Sequence, residues 1–152
     1  MRILSAAYKY REEGLLLLRI GIGLAFMFHG YPKIAGGVER WEKLGGAMGN
    51  LGLDFAPVFW GFMAAFSEFV GGLLLLLGFL FRPVCILLLV TMVVALTQHL
   101  VQGDAFGQYN NSLKSGVVFI SLFLMGPGRY SLDQYLFGPK ERDKEDRFRE
   151  AA

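Results

Sequence analysis

Seven side chains carry most of the chemistry this sequence could do, and they stand where charge is hardest to keep. Glu68 lies in GFMAAFSEFVGGLLLLLGFL (Gly61 to Leu80), where nineteen of twenty residues are uncharged. Arg19, His29 and Lys33 interrupt LLLLRIGIGLAFMFHGYPKI, Gln98 and His99 close another apolar run, and Lys114 opens a further one. A carboxylate in such a setting can relay protons, the one catalytic role assigned here, to Glu68. Ionisable groups inside a membrane default to functional roles. His29 and His99 could hydrogen-bond a quinone carbonyl or accept a proton. Lys33 and Lys114 could attract a small anion. The candidate ligand-binding set is therefore Arg19, His29, Lys33, Glu68, Gln98, His99 and Lys114. The competing reading is structural, with Glu68 and Arg19 as a buried pair fixing helix register and each histidine as a polar packing residue.

Other chemistries find little support. Two histidines at matched depth are compatible with axial ligation of a b-type haem, but no other haem signal accompanies them. No third ligand stands at useful spacing for a metal. The single cysteine, Cys85, cannot form an internal disulfide, a CxxC pair or a four-thiolate site. Its apolar surroundings mark it as a packing residue. Gly45, Gly46, Gly49 and Gly52 follow no strand, which argues against a phosphate loop. A net charge of +2, with acids and bases intermixed, gives no nucleic-acid footprint.

The elements that must position these groups follow from charge segregation. The chain has 152 residues, is 54% hydrophobic and has a mean hydropathy of +0.44. Between Phe55 and Gly128 only Glu68, Arg82, Asp104 and Lys114 are charged, whereas the last fourteen residues, PKERDKEDRFREAA, hold ten charges. Such partitioning is what a bilayer imposes, because a charge at its centre costs roughly 2.5–3.5 kcal/mol on insertion scales.

Three stretches have the ~20 apolar residues that a span needs: Gly14 to Ala35, Pro57 to Phe81 and Pro83 to Val101. A fourth, Asn111 to Gly126, is shorter. The first is too long for a signal-peptide core and lacks a cleavage site, so it reads as a retained span. With four spans both ends share a side. That side collects Arg2, Lys9, Arg11, Arg82, Arg129 and the tail cations, against Lys33, Arg40 and Lys43 opposite, with Lys114 near the boundary, so both termini are expected in the cytoplasm. In the first outer loop, Val38, Trp41, Leu44, Met48 and Leu51 recur every three or four residues and predict a short amphipathic helix. Gln102 to Asn111 reads as a polar loop.

Helical spacing then gathers the polar groups. Arg19, Gly23, Phe26, His29, Gly30 and Lys33 share a face of the first span. Gly61, Ala64, Ala65, Glu68, Gly71 and Gly72 share a small-residue face of the second, of the kind that packs helices in membranes. Thr91, Ala95, Gln98 and His99 share a face of the third, and Asn110, Lys114 and Ser121 of the fourth. The predicted fold is all-α: an integral membrane four-helix bundle with these edges inward. Residues 1–138 form the membrane domain and residues 139–152 a charged, solvated tail. At ~1.5 Å per residue, Glu68 sits near the midplane, and Arg19 lies on the order of 6 Å from it along the bundle axis. Arg19 is thus the first candidate partner of Glu68, beneath an outer polar cup of Lys33, Lys114, His29 and His99.

LLLLRIGIGLAFMFHGYPKI, WEKLGGAMGNLGL, EFVGGLLLLLGFLFRP, QHLVQGDAF and MGPGRYSLD, in that order, resemble the DoxX family of small four-span bacterial membrane proteins, over about Leu15 to Phe137. The resemblance implies a place in the bacterial cytoplasmic (inner) membrane. Relatives are associated with thiosulfate oxidation coupled to a quinone pool, and related folds serve as membrane partners of redox enzymes. Carried over by position, the family's polar pattern falls on Arg19, His29, Lys33, Glu68, Arg82 and His99. The resulting expectation is a redox-associated membrane protein that binds a quinone or small sulfur species in the outer half of the bundle. The alternative is a non-catalytic subunit docking soluble redox enzymes. A transporter is weaker, because no inverted repeat is visible. The lipid bilayer is the expected partner, with a soluble redox protein or, through Gly21 and Ala25, a homodimer as further candidates.

Overall fold

A computed structural model describes residues 9–138. The expected tail, 139–152, and Arg2 lie outside them. Six helices and one 3-10 segment account for most of these residues: α1 (Arg11–Ile34), α2 (Gly37–Gly45), the 3-10 segment Gly46–Leu51, α3 (Pro57–Leu77), α4 (Phe81–Val101), α5 (Phe106–Met125) and α6 (Leu132–Phe137). No strand occurs among the described residues.

Helices α1, α3 and α4 are long and apolar enough to cross a membrane. Helix α5 has the length, 20 residues, but its opening turns FGQYNN make it less apolar. It starts at Phe106, not near Asn111 as expected, so half of the expected polar loop is helix. Gln108 Oε1 accepts the Ala105 backbone N–H at 3.0 Å and steadies that start. A polar first turn carries no apolar period, which is why the sequence pattern missed it.

Helix α3 begins on Pro57, whose fixed φ suits a first helical turn, and stops at Gly78, which takes φ +67. Leu80 follows with φ +48, an uncommon conformation for a residue with a side chain. It is held by Asp133, whose carboxylate oxygens accept the Leu80 and Phe81 backbone N–H groups at 2.9 and 2.8 Å. That carboxylate caps α4 from α6, since α4 has no side-chain cap of its own.

The long helices pack in the order α1, α3, α4, α5. Phe26 of α1 meets Phe119 of α5 edge to face at 4.9 Å between ring centres. Around that contact lies the apolar core, including Leu75, Phe81, Leu88, Leu122 and the free thiol of Cys85, which is buried among them. The outward stripes are apolar too: Leu17, Leu24 and Phe28 on α1, Ile86, Val90 and Val93 on α4, and Val117, Ile120 and Leu124 on α5 are all exposed. Exposed apolar surface on that scale marks a lipid-facing perimeter.

Two close approaches set the geometry at the far end of the bundle from Lys9 and α6, here the distal end. Gly30 of α1 lies flush on the Glu68–Phe69 backbone of α3, and Gly23 on Gly72 and Leu76. A β-carbon at any of these glycines would collide with the neighbouring helix. Helix α2 crosses α3 in the same way, where Gly45 abuts the Pro57 carbonyl and Gly61 abuts the Trp41 carbonyl.

Candidate functional site

Glu68 projects from the middle of α3, eleven residues or ~16 Å from its start. Its side chain is 5% exposed and meets Lys33 Nζ, which stands 2.6 Å from both carboxylate oxygens. The pairing follows from how helical side chains lean. Cβ atoms tilt toward a helix's N-terminus. The N-terminus of α3 is distal, so Glu68 leans distally. Helix α1 runs the opposite way, so Lys33 leans back from its distal last turn, down toward Glu68. The Gly30 contact brings the two backbones near enough for the reach. Trp41 Nε1 donates to the Lys33 carbonyl at 3.0 Å and ties α2 to the same corner.

The expected pair of Glu68 with Arg19 does not form. The glycine contacts show why: Gly30 is level with the Glu68–Phe69 backbone and Gly23 lies between Gly72 and Leu76, so Arg19, one turn further on, lies past Leu76 with its guanidinium beside Gly78. Arg19 is eleven residues, or ~16 Å, from Gly30 along α1 and so from the level of Glu68, more than twice the gap expected from counting along the spans. Arg19 also leans toward its own N-terminus, away from Glu68. It is 1% exposed and binds backbone carbonyls: Leu76 at 3.3 Å, Tyr130 at 2.8 Å, and Pro127. Its guanidinium stands 5.9 Å from the Phe81 ring centre. Glu12 accepts the Arg129 backbone N–H at 2.6 Å beside it. Arg19 therefore clasps the chain after α5 to the opposite end of the bundle.

Above the Lys33–Glu68 pair opens a cavity of about 890 Å³, open on one side. Helix α1 contributes Lys33, and α2 contributes Glu39, Arg40, Lys43 and Leu44. The 3-10 segment adds Met48. Helix α3 adds Phe59, Trp60, Met63, Ala64 and Glu68, and α4 adds Leu87, Val90, Thr91, Val94, Ala95, Gln98 and His99. The Ser67 and Thr91 hydroxyls, 2.9 Å apart and buried, join α3 to α4 at the level of Glu68. Near the distal mouth, Gln98 accepts a hydrogen bond from the Asn50 amide, which fastens the 3-10 segment to α4. His99 Nδ1 lies 2.7 Å from Asp104 Oδ2, leaving Nε2 as the ring nitrogen with no partner among the described residues.

Of the seven candidate residues, Lys33, Glu68, Gln98 and His99 surround this one cavity. Arg19 lies at the opposite end, and His29 and Lys114 are exposed on α1 and α5 and do not line it. The outer cup expected from four cations and histidines therefore has different members: Arg40 and Lys43 take the places assigned to Lys114 and His29. Sequence reading missed Trp60, Arg40 and Lys43 as lining residues; it set Thr91 on the inward edge of its span but not among the candidates. Trp60 was within reach, since Trp60, Ala64 and Glu68 recur every four residues on one stripe. Arg40 and Lys43 could be found only from the fold of α2 back onto α3. Among the described residues, no three His, Cys, Asp or Glu side chains cluster as a metal site would need.

Such a cavity, walled mainly by apolar side chains with a few convergent polar groups, has the size and character of a small-molecule site. A profile of the DoxX family matches residues 14–100, which include every residue lining the cavity. The chain is 30% identical to "Inner membrane protein YphA" of Escherichia coli K12, over 79% of this chain and 88% of that one. It is 29% identical to "Putative oxidoreductase CatD" of Bacillus subtilis 168, over 86% of this chain and 92% of that one. No solved structure matches it.

Proposed function

The chain belongs to the DoxX family, and on that premise we propose that it is a redox-associated inner-membrane protein whose distal cavity receives a quinone head group. Helices α1, α3, α4 and α5 are its four spans. Both termini are cytoplasmic, as the lysine and arginine asymmetry favours, and the cavity opens in the outer half of the membrane. The name of the E. coli relative supports the membrane, and that of the B. subtilis relative supports redox work.

One observation carries the reading: an ion pair with a buried carboxylate forms the floor of an apolar cavity whose far rim holds further polar groups. A quinone ring with a hydrogen bond of ~2.8 Å at each para carbonyl spans on the order of 11 Å. Thr91, at the floor level, and Gln98, at the rim, are seven residues or ~10 Å apart along α4. The Lys33 ammonium can donate to one carbonyl, with Glu68 placed to exchange a proton there. Gln98 or His99 Nε2 can donate to the other, and Asp104 orients that imidazole. Walls of Met63 and Val94 suit the ring faces. A small sulfur anion fits less well, because Glu68 already neutralises Lys33, leaving only Arg40 and Lys43 to attract it.

Trp60 provides the test. In a Trp41→Phe background it is the chain's only tryptophan, and a bound quinone quenches it. In lipid nanodiscs, short-tailed ubiquinone or menaquinone analogues should quench saturably, with affinity reduced at least tenfold by Glu68→Gln combined with His99→Leu. Thiosulfate should not compete. Unsaturable quenching by both quinones, identical in the double variant, overturns the proposal.

A further inference from the structure

The cavity is longer than a head group needs. Its lining on α4 runs from Leu87 to His99, twelve residues or ~18 Å along the axis. Every charged lining residue lies at the level of Glu68 or distal to it, while the portion beside Leu87 is apolar. The wall is also continuous with the outside of the molecule. Phe59 and Val90 line the cavity and are 53% and 54% exposed. Val90 belongs to the outward stripe of Ile86 and Val93, and Phe59 to that of Leu73 and Leu77, all exposed.

The α3–α4 hairpin explains the opening. Leu88 lies against Gly71, and Thr91 against Ser67, so the helices are in contact up to the level of Glu68. In this register the next opposed pair is Ala64 and Ala95, both lining the cavity. Two methyl side chains stand opposite one another where larger residues would fill the wall, and the cavity reaches between the helices there.

We propose that this slot between α3 and α4 is a lateral portal to the bilayer, and that the ligand is a membrane-resident amphiphile whose hydrocarbon tail leaves between Ala64 and Ala95 past Phe59 and Val90. The head group sits against the polar half of the cavity, and the tail lies in the slot and then among lipid chains. The inference rests on the quinone reading only for the chemistry of that head group. It assigns the portal a separate part: tail length, not head-group chemistry alone, decides affinity.

Two substitutions narrow the slot. Ala95→Phe fills it from within, and Val90→Phe crowds its mouth from a lipid-facing position where packing is not disturbed. Decylubiquinone and a tailless ubiquinone ring are titrated by Trp60 quenching in the Trp41→Phe background, with and without each of the two substitutions. Each variant should weaken decylubiquinone at least tenfold and leave the tailless ring within twofold. Equal losses for both ligands, or no loss in either variant, overturn the portal. If neither quinone binds wild type, the head-group reading fails and the portal is judged with palmitoyl-oleoyl phosphatidylglycerol. Native mass spectra should then show this lipid retained by wild type and lost from both variants. Retention that is absent or the same in all three overturns it.

Discussion

Removing Lys33 should cost far more stability than removing its partner. In Lys33→Met the Glu68 side chain, 5% exposed, loses the one cation that pairs with it among the described residues. Breaking a buried pair by deleting one member typically costs ~3–5 kcal/mol. The lower end applies here, because Lys33 keeps 27% of its side-chain exposure and the pair is partly solvated. In Glu68→Leu the survivor is a lysine already at the cavity wall, whose flexible stem can carry its ammonium toward the distal mouth, so the loss should be about 1 kcal/mol. The double variant Lys33→Met/Glu68→Leu removes both charges and should also stay within about 1 kcal/mol of wild type, since apolar replacements of buried pairs are often neutral. The singles then sum to about 4 kcal/mol against about 1 for the double, a coupling of about 3 kcal/mol. At roughly 2–4 °C per kcal/mol, Lys33→Met should melt about 6–12 °C below wild type. Thermal unfolding in nanodiscs, followed by far-UV circular dichroism, measures all four proteins. The reasoning is refuted if Lys33→Met is no worse than Glu68→Leu, or if the double variant is simply additive.

Three further outcomes are expected. Arg19→Lys keeps the charge but cannot reach three carbonyls with one ammonium, so it should lose about 2–3 kcal/mol, at ~1.5–3 kcal/mol per lost charge-assisted hydrogen bond. Proteolysis should then cut first between Gly126 and Ser131, where the clasp is released. Gly30→Val drives a branched side chain into the Glu68–Phe69 backbone and should destabilise by at least ~2 kcal/mol through overpacking, whereas Gly21→Val, where a β-carbon meets nothing, should melt within 2 °C of wild type, roughly 0.5 kcal/mol. Asp104→Asn should leave the melting temperature within about 2 °C but weaken quinone binding about three- to tenfold, as a second-sphere partner orienting His99 does; unchanged binding would remove Asp104 from the site.

Much of this architecture was legible in the sequence, because a membrane compels it. Apolar runs, the small-residue stripe around Glu68 and the cation bias need only hydropathy and helical period. So does the conclusion that Glu68 turns inward, which its burial bears out. What the sequence left open is the axial register between helices. Counting residues from span ends put Arg19 within reach of Glu68. The true offset is set by Gly23 on Gly72 and Gly30 on Glu68, contacts that emerge only when two surfaces interlock. Lys114 and His29 were misplaced for a related reason. Each lies on a plausible polar stripe, but a stripe gives a face of one helix and not the neighbour it meets. The α2 cations were invisible because their contribution depends on Gly45 and Gly61 letting α2 fold flat onto α3.

Antiparallel packing also bears on why the polar groups divide between the two ends. In neighbouring helices of opposite direction, each side chain leans toward its own N-terminus. A cation late in α1 and an acid midway along α3 therefore converge, whereas a cation early in α1 diverges toward the termini. Lys33 and Arg19 are fourteen residues apart on one face of one helix, ~21 Å, yet cannot share a partner. Arg19 fixes the carbonyls of the chain after α5, and Asp133 caps α4 across the same end. That end is closed by hydrogen bonds. The distal end is held by the Lys33–Glu68 pair, the Asn50–Gln98 contact and the His99–Asp104 contact, each with a member lining the cavity. A ligand entering there competes directly for the donors and acceptors that hold the cavity walls together. Binding and local stability at that end are therefore linked, and Lys33→Met should loosen the distal segments while leaving the Arg19 clasp intact. Hydrogen exchange resolves the two ends: protection should fall across Gly37–Leu51 and persist around Leu76–Leu80. Equal loss at both ends would mean that the bundle opens as a whole and that the two ends are not independent.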